Sequence, residues 1–193
     1  MKEPLEKYIK QYVSLSDQEA QQFCGLFEIQ TIKKKEFLLR VGEICKFEGF
    51  VTKGLFRVYH IDQNGAEQIL YFAIEDWWIT DIDSFTNQRP SQLFIEALEE
   101  SEVLLISKEN KDFAYQSIPA IEKLFRIMTQ KTHTSLQRRM INSMSKTASE
   151  RYLDFIKDYP AIYQRLTNLQ IAAYLGISHE FLSKIRKKIS VSH

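Results

Sequence analysis

Short runs of β-branched and aromatic residues fill the chain from about Phe27 to Ser107, and they constrain the fold more than any other feature. Asn64-Gly65 stands between two of these runs, which is a strong hairpin signal. Several short strands at a spacing of about ten residues predict an antiparallel barrel or roll. The runs are EFLLRV, FEGFVTK, LFRVYHI, EQILYFA, LFIEALE and EVLLIS.

Helix-like patterns flank this region on both sides. Ahead of it, apolar residues recur at helical spacing and Ser16 with Glu19 makes a capping-box pattern, so two short helices are predicted. Behind it, TASERYLDFIKDYP predicts a helix that Pro160 closes. Between these parts, an apolar stripe follows Pro119 for about 25 residues. The stripe consists of Ile121, Leu124, Phe125, Met128, Leu136 and Met140.

The apolar stripe is longer than one end of a small barrel can cover. We interpret the helix over residues 119–145 as a spine that pairs with its twin in a homodimer. Packing within the monomer is the alternative, because Lys131, Thr132 and Ser135 interrupt the stripe.

The most specific motif is IAAYLGISHEFLSKIRKK, residues 171–188, in which a glycine interrupts a helical pattern. Gly176 can take the left-handed conformation that ends a first helix. Ser178 would cap the second helix, and Thr167 with Gln170 would cap the first. The layout predicts a helix–turn–helix, with a plain helical hairpin as the alternative. The apolar residues that the two helices would bury are Ile171, Ala172, Leu175, Ile177, Leu182 and Ile185.

With that apolar set buried, the second helix exposes a polar edge. The carboxylate of Glu180 can accept a hydrogen bond from cytosine, and Lys184 can donate to guanine. Residues 165–193 contain five basic residues and one acidic residue, a balance that favours salt-sensitive binding to DNA. The predicted DNA-binding residues are Thr167, Ser178, His179, Glu180, Ser183, Lys184, Arg186, Lys187 and Lys188.

Charge is divided unevenly along the chain. Residues 1–110 hold 12 Lys and Arg against 19 Asp and Glu, whereas residues 111–193 hold 14 against 6. This split predicts two modules, the second of which meets a polyanion; a dipolar surface with no nucleic-acid partner is the alternative. We divide the chain into a β-roll domain with N-terminal helices (1–118), a dimerisation helix (119–145) and a helix–turn–helix domain (146–193).

Other classes of protein are disfavoured by what the sequence lacks. It has no run of about 18 apolar residues and no signal-peptide core at its start, so we expect a cytoplasmic protein with no membrane partner. Cys24 and Cys45 form no C-x-x-C pair, and His60 is the one histidine in the strand-rich region, too few for a facial metal triad. We therefore expect no metal, no cofactor and no catalytic residue.

The order of these parts resembles the Crp/Fnr superfamily of bacterial transcription regulators. Gly42, Gly54 and Gly65, in LLRVGE and VTKGLFRVYHIDQNGAEQI, match the turn glycines of the cyclic-nucleotide-binding β-roll. LTNLQIAAYLGISHEFLSKIRKK matches the DNA-binding motif of the family. The resemblance implies an α+β fold: an N-terminal antiparallel β-roll (a cupin-like double-stranded β-helix), a long dimerisation helix and a C-terminal helix–turn–helix.

The same resemblance implies functional roles. His179, Glu180 and Lys184 fall at the three base-reading places, with His179 where the cyclic AMP receptor has arginine, and Thr167 and Ser178 fall where family members touch phosphate. The implied function is a homodimeric regulator that binds a palindromic operator in double-stranded DNA. RNA polymerase and an unknown small-molecule effector would be further partners.

Two departures from the family pattern stand out. The G-E and R-S pairs that hold cyclic AMP align with Ile79-Thr80 and Ser91-Gln92, so we predict no high-affinity cyclic AMP binding. The five residues after Lys188 are too few for the family's β-hairpin wing, so a short or missing wing is expected.

The segment DWWITDIDSF, which replaces the phosphate-binding pattern, predicts one of two things. The pocket either accepts a different ligand, with tryptophan as a stacking wall, or is filled by its own aromatic side chains. The candidate pocket residues are Tyr71, Trp77, Trp78, Asp81, Arg89, Ser91 and Gln92. Two rival functions follow: a ligand-sensing β-roll protein that does not bind DNA, and a β-roll enzyme.

Overall fold

A computed structural model describes residues 2–191. Met1, Ser192 and His193 lie outside the described residues, and with them the ends of the domains predicted over 1–118 and 146–193. The described residues form two compact units: unit 1 comprises residues 2–58 and 73–133, and unit 2 comprises residues 59–72 and 134–191.

Residues 2–191 contain nine helices and eight strands. In chain order they are α1 (Glu3–Lys10), α2 (Asp17–Gly25), β1 (Glu28–Ile32), β2 (Phe37–Leu39), β3 (Phe47–Lys53), β4 (Phe56–Ile61), β5 (Glu67–Ala73), β6 (Trp78–Ile79), α3 (Ile82–Asn87), β7 (Phe94–Ala97), β8 (Ser101–Ser107), α4 (Lys108–Ser117), α5 (Pro119–Ser145), α6 (Ala148–Asp158), α7 (Pro160–Tyr163), α8 (Asn168–Leu175) and α9 (His179–Val191).

The strands form two four-stranded sheets with the orders β1-β8-β3-β6 and β2-β7-β4-β5. In the first sheet every pairing is antiparallel, and β3 and β8 are in register at Gly49 with Leu105 and at Phe50 with Leu104. All six strand-like runs of the sequence became strands. The predicted α+β fold with an antiparallel β-roll is confirmed.

The sequence pattern missed β1, β6, α3, α4 and α7. Strand β1 has one buried side chain, Ile32, because its partner β8 supplies the apolar face. Strand β6 is two residues long. Helix α3 is six residues long and is held by its N-cap, Asp81, whose Oδ1 accepts from the backbone N–H groups of Asp83 and Ser84 at 3.2 Å.

The hairpin predicted at Asn64-Gly65 connects β4 and β5, but its turn differs from a two-residue turn with both residues at positive φ. Gly65 takes a positive φ of 80° and Asn64 does not. Asp62 closes the loop instead: its Oδ1 accepts from the backbone N–H groups of Asn64 at 2.8 Å and Ala66 at 3.0 Å. These bonds hold the pKa of the Asp62 carboxyl below its usual value.

The core of unit 1 joins the N-terminal helices, the first sheet and the first half of α5. The capping box predicted at Ser16 is present, with the backbone N–H of Glu19 donating to Ser16 Oγ at 3.2 Å. The core contains Leu5, Ile9, Phe23, Phe27, Phe50, Leu104, Ile106, Ile118, Ile121, Leu124, Phe125 and Met128. Burial of so many large apolar side chains is the main stabilising term of this unit.

The apolar stripe of α5 divides into two parts. Its first four residues, from Ile121 to Met128, are buried within unit 1. This part of the stripe therefore follows the alternative interpretation, packing within the monomer. Leu136 and Met140 are exposed, and so are Ile141 and Met144 on the same part of the helix. The second half of α5 therefore carries an apolar surface that the chain itself does not cover.

Candidate nucleic-acid interface

The helix–turn–helix predicted at residues 167–188 consists of α8 and α9. Thr167 caps α8: the backbone N–H of Gln170 donates to its Oγ1 at 3.3 Å, and its own N–H donates to Gln170 Oε1 at 2.8 Å. Gly176 ends α8 in the left-handed conformation, with φ 66° and ψ 38°. Ser178 caps α9, since its Oγ accepts from the backbone N–H of Phe181 at 3.2 Å. The local signals of the sequence thus act as predicted.

The two helices pack against each other through a small apolar core. Ile171, Ala172 and Leu175 of α8 are buried, and so are Leu182 and Ile185 of α9. Ile177, which the sequence placed in this core, is partly exposed in the turn. Because the small side chain of Ala172 lies in this core, the helices can approach closely.

The opposite side of α9 forms an exposed polar edge, which we call the reading edge. It is defined by His179, Glu180, Ser183, Lys184 and Lys187, all of which are exposed. Thr167, Ser178, Arg186 and Lys188 are exposed as well. The structure therefore brings the nine predicted DNA-binding residues to the surface of one helical pair; their contacts with DNA stay a prediction.

The carboxylate of Glu180 is a hydrogen-bond acceptor on a reading edge whose lysines are hydrogen-bond donors. The pKa of Glu180 lies below its usual value because the free backbone N–H at the start of α9 and the Ser178 hydroxyl stabilise the carboxylate. At neutral pH Glu180 can then only accept hydrogen bonds, whereas Lys184 and Lys187 can only donate them. This combination suits base edges that present both donors and acceptors.

Sequence reasoning missed one contact of a predicted residue and three further residues near the interface. Arg186, assigned to phosphate, donates a hydrogen bond to Asn168 Oδ1 at the start of α8, a contact that no motif predicts. Phe181 is 48% exposed on α9 in spite of its apolar character. Arg139 and Arg151 hold the end of α8 and lie outside the motif altogether.

The candidate ligand pocket is only partly assembled. In unit 1, Ser91 Oγ donates to Asp81 Oδ2 at 2.6 Å, and both residues are buried. Arg89 is exposed and pairs with Asp83, and Gln92 is exposed. Tyr71 belongs to unit 2. The structure thus brings together Asp81, which is next to the place of the family's glutamate, and Ser91, which aligns with the family's arginine.

The two tryptophans of the pocket segment differ in their surroundings. The ring of Trp78 packs against the core of unit 1, with centroids 5.2 Å from Phe125, 5.5 Å from Phe50 and 6.1 Å from Phe27. Trp77 is partly exposed. Trp78 therefore fills space inside the β-roll unit.

The described part of the chain contains neither a candidate metal site nor a candidate membrane-spanning helix. Within residues 2–191, no cluster of three or more His, Cys, Asp and Glu side chains is arranged to hold a metal ion. Among the helices of this same range, none is both long enough and apolar enough to cross a membrane.

Comparison with known proteins shows what this chain is similar to. The sequence profile of the cyclic nucleotide-binding domain matches residues 29–115. The transcriptional activator protein Anr of Pseudomonas protegens is 25% identical over 166 residues, which cover 80% of this chain and 67% of that protein. These findings support a regulator of the Crp/Fnr superfamily. The resemblance recognised from the sequence is thereby confirmed.

Solved structures of other proteins show the same fold. FixK2 from Bradyrhizobium japonicum superposes with a TM-score of 0.75 at 18% identity, covering 86% of this chain and 85% of its own. A protein of Eubacterium rectale assigned to the crp/fnr family superposes with a TM-score of 0.72 at 17% identity, covering 92% and 85%. At these identities the superpositions establish the fold of this chain alone.

Proposed function

We propose that this Crp/Fnr protein is a DNA-binding transcription regulator that acts as a homodimer on a palindromic operator. The observation that carries the proposal is the exposed, mainly basic reading edge of α9 on a capped and packed helix–turn–helix. A helix of this kind enters the major groove and places its N-terminal residues against base edges. His179, Glu180 and Lys184 are the proposed base readers.

The proposed phosphate contacts come from the two capped helix starts and from the lysines further along α9. Thr167 and Ser178 are exposed at the N-termini of α8 and α9, where free backbone N–H groups and the helix dipole favour anions. Lys187 and Lys188 add positive charge at the exposed side of α9. Contacts of this type carry no sequence information and make binding depend on salt.

The proposed dimer contact is the exposed apolar surface on the second half of α5. Leu136, Met140 and Met144 recur every four residues and lie on one face of the helix, and Met144 is 78% exposed. A second copy of α5 would cover this surface and place two recognition helices about 34 Å apart, one turn of DNA. Met144→Glu should therefore shift the protein toward the monomer in analytical ultracentrifugation.

The β-roll is proposed to lack a high-affinity cyclic AMP site. The buried hydrogen bond between Ser91 and Asp81 occupies groups that would otherwise face a ligand. Trp78 packs against the aromatic core of unit 1 and not as an open stacking wall. This arrangement favours the filled pocket over the pocket for a different ligand. Titration calorimetry that shows a micromolar cyclic AMP site would contradict it.

The remaining proposals follow from membership of the superfamily. The protein is proposed to have no enzymatic activity, to act in the cytoplasm where its DNA lies, and to influence RNA polymerase. An effector, if one acts on the β-roll, is not indicated by any motif of the chain.

Selection of bound duplexes from a random library, followed by fluorescence anisotropy, tests the proposal. The wild-type protein should enrich an imperfect palindrome, and its affinity should fall by about 10³-fold or more between 50 and 200 mM salt if six or more phosphates are contacted. Glu180→Gln and Lys184→Ala should change which bases are preferred, by about 1–3 kcal/mol at the affected position.

Matched lysine variants distinguish contacts that read the base sequence from contacts that attract any DNA through its phosphates. Lys187→Ala should weaken binding to all sequences alike and reduce the salt dependence. Lys123→Ala, which removes the same charge from an exposed position in the first half of α5, should leave binding unchanged. If the wild-type protein binds no duplex at low salt, the rival function applies, namely a ligand-sensing protein that does not bind DNA.

A further inference from the structure

The joint between α5 and α6 is only two residues long, 146–147, and two arginines bridge it within unit 2. Arg139 precedes the joint on α5, and Arg151 follows it on α6. Both guanidinium groups reach the C-terminal end of α8, the first helix of the helix–turn–helix. Neither residue lies on the reading edge.

Arg139 connects three segments of unit 2. Its Nη2 donates to the backbone carbonyl of Tyr174 in α8 at 2.8 Å and to that of Ile69 in β5 at 2.7 Å. Its guanidinium carbon lies 4.2 Å from the centroid of the Tyr174 ring. Burial lowers the pKa of Arg139, because the charged guanidinium has lost part of its contact with water. The two carbonyl groups and the tyrosine ring stabilise the charge in place of that water.

Arg151 makes a second connection at the same place. Its Nη2 donates to the carbonyl of Leu175, the last residue of α8, at 3.2 Å. Its Nη1 donates to the carbonyl of Ser143, near the end of α5, at 3.3 Å. One side chain on α6 therefore ties the end of α5 to the end of α8.

The carbonyls of Tyr174 and Leu175 belong to the last turn of α8, where a helix leaves its carbonyl groups without partners inside the helix. Two positive groups satisfy them and also complement the negative end of the helix dipole. Since Gly176 follows at once and leads into α9, whatever fixes this end of α8 also fixes the direction of the reading edge.

Aromatic rings surround the same contact. Tyr174 lies 4.8 Å from Phe155 of α6 and 5.5 Å from Phe72 of β5, measured between ring centroids. Phe72 and Phe155 are themselves in contact at 6.4 Å. The hydrogen bonds thus lie beside an apolar cluster that resists displacement by water, which makes the attachment directional and firm.

We infer that Arg139 and Arg151 are positioning residues, which set the angle between the second half of α5 and the reading edge and so determine the half-site spacing that the dimer accepts. The inference rests on the proposed function, because spacing has meaning only for a dimer that binds a palindrome. In such a dimer α5 is the shared axis, and the two-residue joint alone leaves the angle of α8 and α9 free to vary.

Operators of altered spacing test the inference. The palindrome selected by wild-type protein is compared with versions in which the spacer is one base pair shorter or longer, a rotation of about 35° per base pair. Arg139→Ala and Arg151→Ala should each bind the selected operator about tenfold more weakly. They should also discriminate less between spacers, while binding to a single half-site at low salt stays at the wild-type level.

Two more variants make the test decisive. Arg138→Ala removes an exposed arginine from the neighbouring position of α5 and should behave as wild type. Arg139→Lys keeps the positive charge but loses the forked donors, so it should stay folded by circular dichroism and still show reduced spacer discrimination. This variant decides the matter if the alanine variants unfold.

The outcomes are distinguishable from failure of the proposed function. If wild type binds its operator and Arg139→Lys discriminates between spacers as sharply as wild type, the inference is wrong and the proposed function stands. If wild type shows no preference for any palindrome, the proposed function fails first and the inference falls with it.

Discussion

Substitution of Gly176 tests the physical reason for the turn between α8 and α9. Gly176 has a φ of 66°, a left-handed conformation that residues with a Cβ adopt at a cost. The nearest atom to an added Cβ is Gln68 Oε1, at 3.9 Å, so the substitution meets no steric clash. The cost of Gly176→Ala is therefore conformational, about 1–2 kcal/mol.

Two further substitutions at this position separate conformation from size. Asn tolerates the left-handed region better than other non-glycine residues, so Gly176→Asn should cost less than Gly176→Ala although its side chain is larger. Gly176→Val, which is β-branched, should cost most. For a chain of this length, the loss in the alanine variant corresponds to a fall in melting temperature of about 2–8 °C.

Urea unfolding followed by far-ultraviolet circular dichroism measures the free energies, with Gly54→Ala as a steric contrast. A Cβ on Gly54 would lie 2.7 Å from the Cα of Ser101, so that variant should lose far more stability than Gly176→Ala. Equal unfolding curves for wild type and Gly176→Ala would refute the reasoning. So would an asparagine variant as unstable as the valine variant, because side-chain volume would then dominate.

Further predictions concern the packing and titration of single residues. Leu182→Ala empties a fully buried position in α9 and should cost about 2–5 kcal/mol in urea unfolding, with loss of operator binding at 37 °C; unchanged stability would show that α8 and α9 do not depend on this contact. Burial raises the pKa of the Cys24 thiol to about 11 and also raises that of Cys45, so an aromatic disulfide reagent at pH 8 should label both thiols only after unfolding; fast labelling of the native protein would contradict this. The folded pKa of Asp62 is lowered by its turn, so its stabilising effect is present above the pKa of the unfolded chain and is lost as the pH falls through the folded value. The melting-temperature difference between wild type and Asp62→Ala should therefore shrink from pH 7 to pH 3, and a constant difference would argue against the carboxylate's role.

Local chemistry explains why much of the fold was predictable. Capping residues such as Ser16 and Thr167, and the turn glycine Gly176, act through hydrogen bonds and dihedral angles within a few residues. The strand-like runs from EFLLRV to EVLLIS likewise show the pattern of a strand within their own few residues. For the same reason the exposed positions of α9 follow from the spacing of its apolar residues alone.

Elements that depend on distant partners escaped prediction. Strand β1 pairs with β8, which lies far along the chain, and the Asp81 carboxylate that caps α3 is itself held by the hydroxyl of Ser91 from outside the helix. The stripe of α5 was read as one surface, yet its first half is buried in unit 1 and its second half is exposed. Lys131, Thr132 and Ser135 separate the two halves in the sequence. They do not tell which half is covered, since what covers a helix is determined by the rest of the fold.

By itself, the sequence determined the helix–turn–helix, the β-roll and the superfamily, because caps, turns and periodicity are properties of neighbouring residues. Only the tertiary structure decided that Arg139 and Arg151, which have no motif, hold the end of α8. A guanidinium group finds a free carbonyl through proximity in space, and residues 139 and 174 become neighbours only when the chain has folded.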